Sequence, residues 1–181
     1  GDSTAYLLAL NSLAEAVIAT DVDGRITYVN PAAERLGATA ATQAIGRTLE
    51  EIIGLVDETD RRLLPDPVRQ ALTSGVPVTL GRRALLISRA DAGERSIELS
   101  ATPMRDAAGE QVGVVVLLHD VSEQRGLARQ MSYQATHDAL TGLVNRREFE
   151  RRLEEAIESG HRGDGQHVLC YLDLDRFKVV N

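Results

Sequence analysis

The spacing of apolar residues divides the first 120 positions into one helix followed by short strands. Leu7, Leu8 and Leu13 recur with alanines at helical spacing, which predicts an amphipathic helix ending near residue 16. This helix would pack either on its own domain or against a second copy of the chain. From Val17 onward the pattern changes to short apolar runs separated by turn residues. These runs predict five strands, at residues 17–20, 25–30, 82–89, 95–104 and 112–119. In the fourth strand Ile97, Leu99 and Ala101 alternate with polar residues, so one face is expected to be buried.

Turn and cap residues place helices between the second and third strands. Asp23 and Gly24 favour a hairpin between the first two strands, because this pair accepts positive φ. Asn30 suits the N-cap of a short helix that begins at Pro31, with Gly37 as its end. Further helical segments are predicted at residues 39–44, 48–53 and 66–74, and Gly75 is expected to end the last of them. The predicted order is two strands, a group of short helices and then a three-stranded meander. This order is typical of the α+β class.

The last predicted strand leads into another helix. Residues 112–118 are apolar on both faces of the strand, which suggests cover by a helix on one side or by a partner subunit. Asp120 or Ser122 can then cap a helix that runs to about residue 136. Leu127 and Met131 form a thin apolar stripe on this helix. The stripe fits either a short coiled coil or a solvated linker helix.

Composition excludes several classes of function. The formal charge of −7 and the lack of a clustered basic face argue against nucleic acid as a partner. The sequence has no apolar run of about eighteen residues, so a membrane anchor would have to lie upstream of Gly1. A single cysteine, Cys170, cannot form an internal disulfide, and a reducing cytoplasm is the expected compartment.

Residues from about 5 to 122 resemble a PAS domain. The pattern Asp-Gly-x-Ile-x-x-x-Asn-x-Ala from Asp23 to Ala32 carries this resemblance, together with the closing sequence Asp120-Val121-Ser122. The resemblance implies a five-stranded antiparallel sheet around short helices and a small internal cavity. It also implies a homodimer formed through the PAS domain and a connector helix that transmits signals through Asp120, Ser122, Leu127 and Met131.

The ligand of this PAS domain is unknown from the sequence, although two cofactors are disfavoured. Haem needs an axial ligand such as histidine, and no histidine occurs before His119. A photoactive flavin domain of this family needs a cysteine near the flavin, whereas Cys170 lies in the following segment. A cavity lined by aliphatic side chains could hold a small apolar molecule or be filled by those side chains. We favour the filled core, because no polar anchor is evident.

The remaining residues begin a second module. Residues 138–145 form a polar turn, and Asn145 with Glu148 predicts a capping box at the start of a helix, followed by a Glu148–Arg152 pair. The apolar run at 168–172 predicts a central strand covered on both faces. It ends in Asp173-Leu174-Asp175, where two carboxylates could hold Mg²⁺ or form a solvated strand end.

The sequences THDALTGLVN at residues 136–145 and YLDLDRFKVVN at residues 171–181 together resemble the opening of the GGDEF domain of diguanylate cyclases. The resemblance implies that Asp173 and the Leu174 carbonyl bind Mg²⁺, and that a further group contacts GTP. In that group Arg176, Phe177 and Lys178 would contact the phosphates, and Asn181 would contact the guanine base. The reaction implied is the conversion of two GTP molecules to cyclic di-GMP. No Gly-Gly-Asp/Glu-Glu-Phe loop occurs in the 181 residues, so this chain is expected to be catalytically inactive alone.

The expected organisation is therefore an N-terminal helix at 1–16, a PAS domain at 17–120, a connector helix at 121–136 and an incomplete α/β GGDEF segment at 137–181. The expected role is a cytoplasmic sensory module for a cyclic di-GMP output, with an inner-membrane anchor left open for a longer protein. The output would be a diguanylate cyclase. The alternatives are a cyclic di-GMP phosphodiesterase of the EAL type, and a PAS domain that serves only for dimerisation.

Overall fold

The computed structural model describes residues 15–173, so most of the helix expected at residues 1–16 lies outside them. Six strands form a single antiparallel sheet within these residues. They are β1 Ala16–Thr20, β2 Ile26–Val29, β3 Ile53–Asp57, β4 Val78–Ser88, β5 Glu94–Arg105 and β6 Gln111–Asp120. Their order across the sheet is β2-β1-β6-β5-β4-β3, so β1 pairs with the last strand and closes the meander.

Four short helices connect β2 to β4, and two longer helices follow the sheet. The short ones are α1 Pro31–Gly37, α2 Ala41–Ala44, α3 Leu49–Ile52 and α4 Pro67–Ser74. The longer ones are α5 Ser122–Thr136 and α6 Arg146–Arg162. None of the helices in residues 15–173 is long and apolar enough to cross a bilayer. The chain divides into two compact units between Gly126 and Leu127.

One face of the sheet packs against the short helices. Ile97, Leu99 and Ala101 alternate along β5 and are almost fully buried, as the sequence predicts for one face of a strand. Side chains from the strands and from α1 to α4 form one apolar cluster with them. The other face of β6 carries Val115 and Leu117, which are half-buried. The α+β fold is thus confirmed, with its core between the sheet and the short helices.

The number of strands differs from the sequence prediction. The sheet has a sixth strand, β3, where the sequence predicted only the end of a helix at residues 48–53. Thr48 and Glu51 do begin a helix with a capping box, but the helix stops at Ile52. The strand then pairs with β4 along its whole length, from Ile53 opposite Ser88 to Asp57 opposite Ala84. A five-residue strand gives a weak periodic signal, and its partner is distant in sequence.

The end of α1 also differs from the prediction. Gly37 is the last helical residue and is buried, whereas Ala38 adopts the left-handed conformation with φ of 50°. The Gly37 carbonyl accepts hydrogen bonds from the Ser88 hydroxyl at 2.7 Å and the Thr39 hydroxyl at 3.1 Å. These bonds hold the helix end against β4, and the left-handed turn falls one residue later. The prediction for Gly75 is confirmed, since it ends α4 with φ of 67°.

Candidate functional site

The cavity inside the PAS-like core is very small. It has a volume of about 10 Å³ and is lined mainly by aliphatic side chains from β1, β2, β4, β6 and the short helices. Its polar lining group is Thr39, whose hydroxyl donates to the Gly37 carbonyl. Ligand pockets have volumes of about 300–1,000 Å³, and one water needs about 10–15 Å³. In this conformation the cavity therefore has room for at most about one water molecule.

The exit from the sheet into α5 is organised by three consecutive residues. The Val121 N–H donates to the Ser96 carbonyl at 2.9 Å, and the Ser96 N–H donates to the Ser122 hydroxyl at 3.0 Å. The Asp120 carboxylate accepts the Ser122 N–H at 2.9 Å. The sequence left open which side chain caps the helix. In the structure the Asp120 carboxylate accepts the Ser122 N–H at the start of the helix. The Ser122 hydroxyl accepts the Ser96 N–H and so connects the helix start to β5.

Charged side chains add two contacts to this exit. Arg95 lies 3.9 Å from the Asp120 carboxylate, in a pair that is largely exposed. Arg125 lies 3.5 Å from Glu58, and these two side chains are only 16% and 25% exposed. The two terminal nitrogens of Arg125 are buried and make no hydrogen bond to a described residue. Sequence reasoning missed this pair, because Glu58 and Arg125 are distant in sequence and neither belongs to a recognisable motif.

The apolar stripe of α5 remains exposed in the single chain. Leu127 is 55% exposed and Met131 is 70% exposed, and no residue of α5 is buried. The side chains predicted to transmit a signal therefore divide into two groups. Asp120 and Ser122 make defined hydrogen bonds within the sheet unit, whereas Leu127 and Met131 are open to solvent.

The turn between α5 and α6 is fixed by its own polar side chains. The Asp138 carboxylate accepts the Thr141 hydroxyl at 2.8 Å and the Thr141 N–H at 2.9 Å, and these bonds lower the pKa of Asp138. Gly142 takes φ of 70°, which the turn requires. The Asn145 amide donates to the Ala135 carbonyl at 2.8 Å, so it joins the two helix ends. The predicted polar turn is thus compact and is held by hydrogen bonds among its own residues and the two helix ends.

Only half of the predicted capping box forms at the start of α6. The Asn145 side chain accepts the Glu148 N–H at 3.0 Å, as an N-cap should. The Glu148 carboxylate does not return to the cap but accepts hydrogen bonds from Arg151 and Arg152, each at 2.7 Å. The expected pairing of Glu148 with Arg152 is confirmed. Together the two arginines lower the pKa of Glu148 from 4.5 to about 2.

The titration of Glu148 provides a test of this cluster. Because its folded pKa is depressed, its contribution to α6 stability is complete above about pH 4.5 and is lost as the pH falls toward 2. We expect an NMR titration to place the Glu148 midpoint near 2, and Arg151→Gln to raise it. Arg162→Gln is the matched control, because Arg162 pairs with Glu158 at the other end of α6. A midpoint near 4.5 in the unmodified chain would contradict the cluster.

The structure describes little of the predicted Mg²⁺ and GTP site. Asp173 is described and exposed, whereas Leu174, Arg176, Phe177, Lys178 and Asn181 lie outside the described residues. The central strand predicted at 168–172 is absent, because these residues have no strand partner within 15–173 and are exposed. No cluster of three potential metal-binding side chains occurs in the described part of the chain. The binding of Mg²⁺ by Asp173 and the Leu174 carbonyl therefore stays a prediction.

Two protein families match consecutive parts of the sequence. The PAS fold family matches residues 10–126, which includes all six strands and the first turn of α5. The family described as diguanylate cyclase, GGDEF domain, matches residues 135–181, which include the Asp138 turn and α6. The residues between the two matches, 127–134, lie within α5.

Two relatives align with both the PAS part and the GGDEF part of the chain. The probable diguanylate cyclase DgcE of Escherichia coli K12 is 33% identical over 174 residues, which cover 96% of this chain and 15% of DgcE. The cyclic di-GMP phosphodiesterase PdeB of Shewanella oneidensis is 32% identical over 174 residues, covering 96% of this chain and 19% of PdeB. The chain thus spans less than a fifth of the length of these two relatives.

A solved structure supports the fold independently. The PAS domain of a protein from Colwellia psychrerythraea superposes with a TM-score of 0.54 at 20% identity, covering 68% of this chain and 99% of that domain. At this identity the likeness concerns the fold alone. The chain therefore belongs to the PAS fold family, and its PAS domain is followed by the first part of a GGDEF domain.

Proposed function

We propose that this chain is the sensory and dimerisation module of a cyclic di-GMP signalling protein. The observation that carries the proposal is the succession of a PAS domain and the start of a GGDEF domain in one chain, with α5 between the two. The output we favour is a diguanylate cyclase, which joins two GTP molecules into cyclic di-GMP. The described contacts of Asp120 and Ser122 are the means by which the sheet would set the start of α5.

A phosphodiesterase output is the second candidate. PdeB matches the chain over the same length as DgcE and at nearly the same identity. One relative is named for making cyclic di-GMP and the other for degrading it. The segment that both relatives share therefore does not determine whether cyclic di-GMP is made or degraded. This supports a regulatory role for the chain, whether the output is a cyclase or a phosphodiesterase.

The proposed nucleotide site lies at the end of the chain. Asp173 and the Leu174 carbonyl would bind Mg²⁺, Arg176, Phe177 and Lys178 would contact phosphate, and Asn181 would contact guanine. Mg²⁺ would neutralise phosphate charge during the transfer. The sequence lacks the Gly-Gly-Asp/Glu-Glu-Phe loop of the family it resembles. We therefore propose that the 181 residues alone do not synthesise cyclic di-GMP.

The proposal includes a cytoplasmic homodimer without a core ligand. The exposed Leu127 and Met131 would face their counterparts in a second copy of α5. The core cavity of about 10 Å³ supports a PAS domain filled by its own side chains, rather than by haem or flavin. The acidic net charge of −7 supports a partner other than nucleic acid.

A chimera tests the regulatory role. This chain would replace the matched 174 residues of DgcE, so that DgcE supplies everything that follows. We expect the chimera to form cyclic di-GMP from GTP and Mg²⁺, and the 181-residue chain alone to form none. Asp120→Ala, which removes the bond to the Ser122 N–H, should change the rate by about fivefold or more, the scale of ordinary coupling between sites.

Asp106→Ala is the matched control for Asp120→Ala. Asp106 accepts the N–H groups of Ala108 at 2.9 Å and Glu110 at 3.0 Å, so it has a comparable local role in the turn between β5 and β6. Its substitution should leave the rate of the chimera unchanged. An inactive chimera, or equal effects of the two substitutions, would count against the proposed function.

A further inference from the structure

A pocket with a volume of about 270 Å³ lies at the end of the sheet from which the chain leaves for α5. It is lined by residues of α1, of the start of β1 and β5, and of the end of β6, all of which belong to the sheet unit. Its volume is close to the lower limit of about 300 Å³ for ligand pockets. Unlike the core cavity, this α1–β6 pocket therefore has room for a small molecule.

The buried part of the pocket lining is apolar. It consists of Ala16, Ala32, Leu36 and Leu118, and each of these residues is at most 9% exposed. A small aliphatic group placed against them would be removed from water, which is favourable. The pocket thus suits a ligand with a short aliphatic part.

Four charged side chains also line the pocket, two of each sign. Arg35 and Arg95 carry positive charge, and Glu15 and Asp120 carry negative charge. Arg95 lies 3.9 Å from the Asp120 carboxylate, which is beyond hydrogen-bond distance. The side chains of Glu15 and Arg35 make no ion pair or hydrogen bond with another residue that the structure describes. The protein therefore leaves the charges of this pocket incompletely paired.

We propose that the α1–β6 pocket binds a free α-amino acid with a small aliphatic side chain. Arginine binds a carboxylate through two parallel hydrogen bonds, and the pocket offers Arg35 and Arg95 for this contact. The ammonium group would pair with Glu15 and Asp120, and the side chain would contact the apolar lining. A purely anionic or cationic ligand would bring its charge close to two like charges. The presence of both signs in one pocket therefore favours a zwitterion.

Binding in this pocket would act on the start of α5 through Asp120. The Asp120 carboxylate accepts the Ser122 N–H at 2.9 Å and also faces Arg95. A ligand ammonium at Asp120 and a ligand carboxylate at Arg95 would replace the loose pair that these two side chains now form. This regulatory half of the inference rests on the proposed function, whereas the binding half concerns this chain alone.

An NMR titration of the 181-residue chain with L-leucine tests the binding half. We expect saturable shifts of the backbone amides of Leu36, Leu118 and Asp120. The expected dissociation constant is about 1 mM, because a ligand of about nine non-hydrogen atoms at exposed charges binds weakly. Isocaproate lacks the ammonium of leucine and isoamylamine lacks its carboxylate, so each should bind about tenfold more weakly.

Arg35→Gln should weaken the binding of L-leucine by about tenfold, because it removes a charged hydrogen-bond donor. Arg69→Gln is the matched control, since Arg69 is also an exposed arginine on a short helix, α4, and lines a different pocket. It should leave the binding unchanged. Equal effects of the two substitutions, equal binding of isocaproate and L-leucine, or the lack of a saturable shift with L-leucine would each overturn the inference.

The DgcE chimera tests the regulatory half. L-Leucine should change its rate of cyclic di-GMP synthesis by about fivefold, and Arg35→Gln should remove most of this response, whereas Arg69→Gln should not. An active chimera that does not respond to L-leucine would overturn the regulatory half. An inactive chimera would count against the proposed function, while the titration would still decide the binding half.

Discussion

Asn30→Ala is expected to lower the free energy of unfolding of the PAS domain by about 3–5 kcal/mol. The Asn30 side chain is fully buried, and its carbonyl oxygen accepts the N–H groups of Val17 and Ala33, both at 2.9 Å. Its amide donates to the Glu15 carbonyl at 2.8 Å. One side chain thus joins the chain before β1, the strand β1 itself and the start of α1.

The size of this effect follows from the groups that would be left unpaired. Loss of an N-cap costs about 1 kcal/mol, and each buried backbone group without a partner costs about 1–3 kcal/mol more. The site is buried, so bulk water does not reach the groups that lose their partner. Urea unfolding followed by circular dichroism of the sheet would measure the loss, which is a large fraction of the 5–15 kcal/mol typical of a folded domain.

Asn145→Ala is the matched control for Asn30→Ala. Asn145 caps α6 by accepting the Glu148 N–H at 3.0 Å and donates to the Ala135 carbonyl at 2.8 Å, so it makes the same kinds of bonds. It is only half-buried, and water can occupy its place. It also belongs to the second unit of the chain. The control should leave the unfolding of the sheet unchanged, and equal shifts for the two variants would contradict the role assigned to Asn30.

Features governed by neighbours in sequence were predictable. Asn30 was recognised as a cap because an asparagine before proline at the start of an apolar segment is a local signal. The same holds for Gly75, whose left-handed conformation ends α4. The alternation of Ile97, Leu99 and Ala101 indicated the buried face of β5, because strand periodicity needs no knowledge of the partner strand.

Features that depend on distant partners were not predictable. The strand β3 exists because Ile53 and its neighbours pair with β4, about thirty residues away in sequence. The left-handed residue after α1 is Ala38 because Ser88 binds the Gly37 carbonyl from β4. The pair of Arg125 and Glu58 is equally non-local. The strand expected at 168–172 fails for the same reason, since an apolar run becomes a strand only beside another strand.

The second large effect is expected from Gly113→Ala in β6. A Cβ at position 113 would overlap with the Thr20 carbonyl oxygen and would lie 3.1 Å from the Met104 side chain. The Thr20 oxygen belongs to the backbone of β1 and cannot rotate away, so β1 and β6 would have to separate locally. The backbone φ of 158° is also uncommon for a residue with a side chain. We expect a loss of about 3 kcal/mol or more in the free energy of unfolding.

Gly81→Ala separates the close approach from the general effect of removing a glycine. Gly81 lies in β4, and its built Cβ meets no atom within 4 Å. Because glycine weakens a strand, alanine there should be neutral or slightly stabilising. Urea unfolding should therefore shift strongly for Gly113→Ala alone. Since β1 pairs with β6 from Ala16 opposite Leu118 to Thr20 opposite Val114, the lost stability should appear first as faster amide exchange along β1. Similar unfolding of the two variants would show that β1 does not approach β6 this closely.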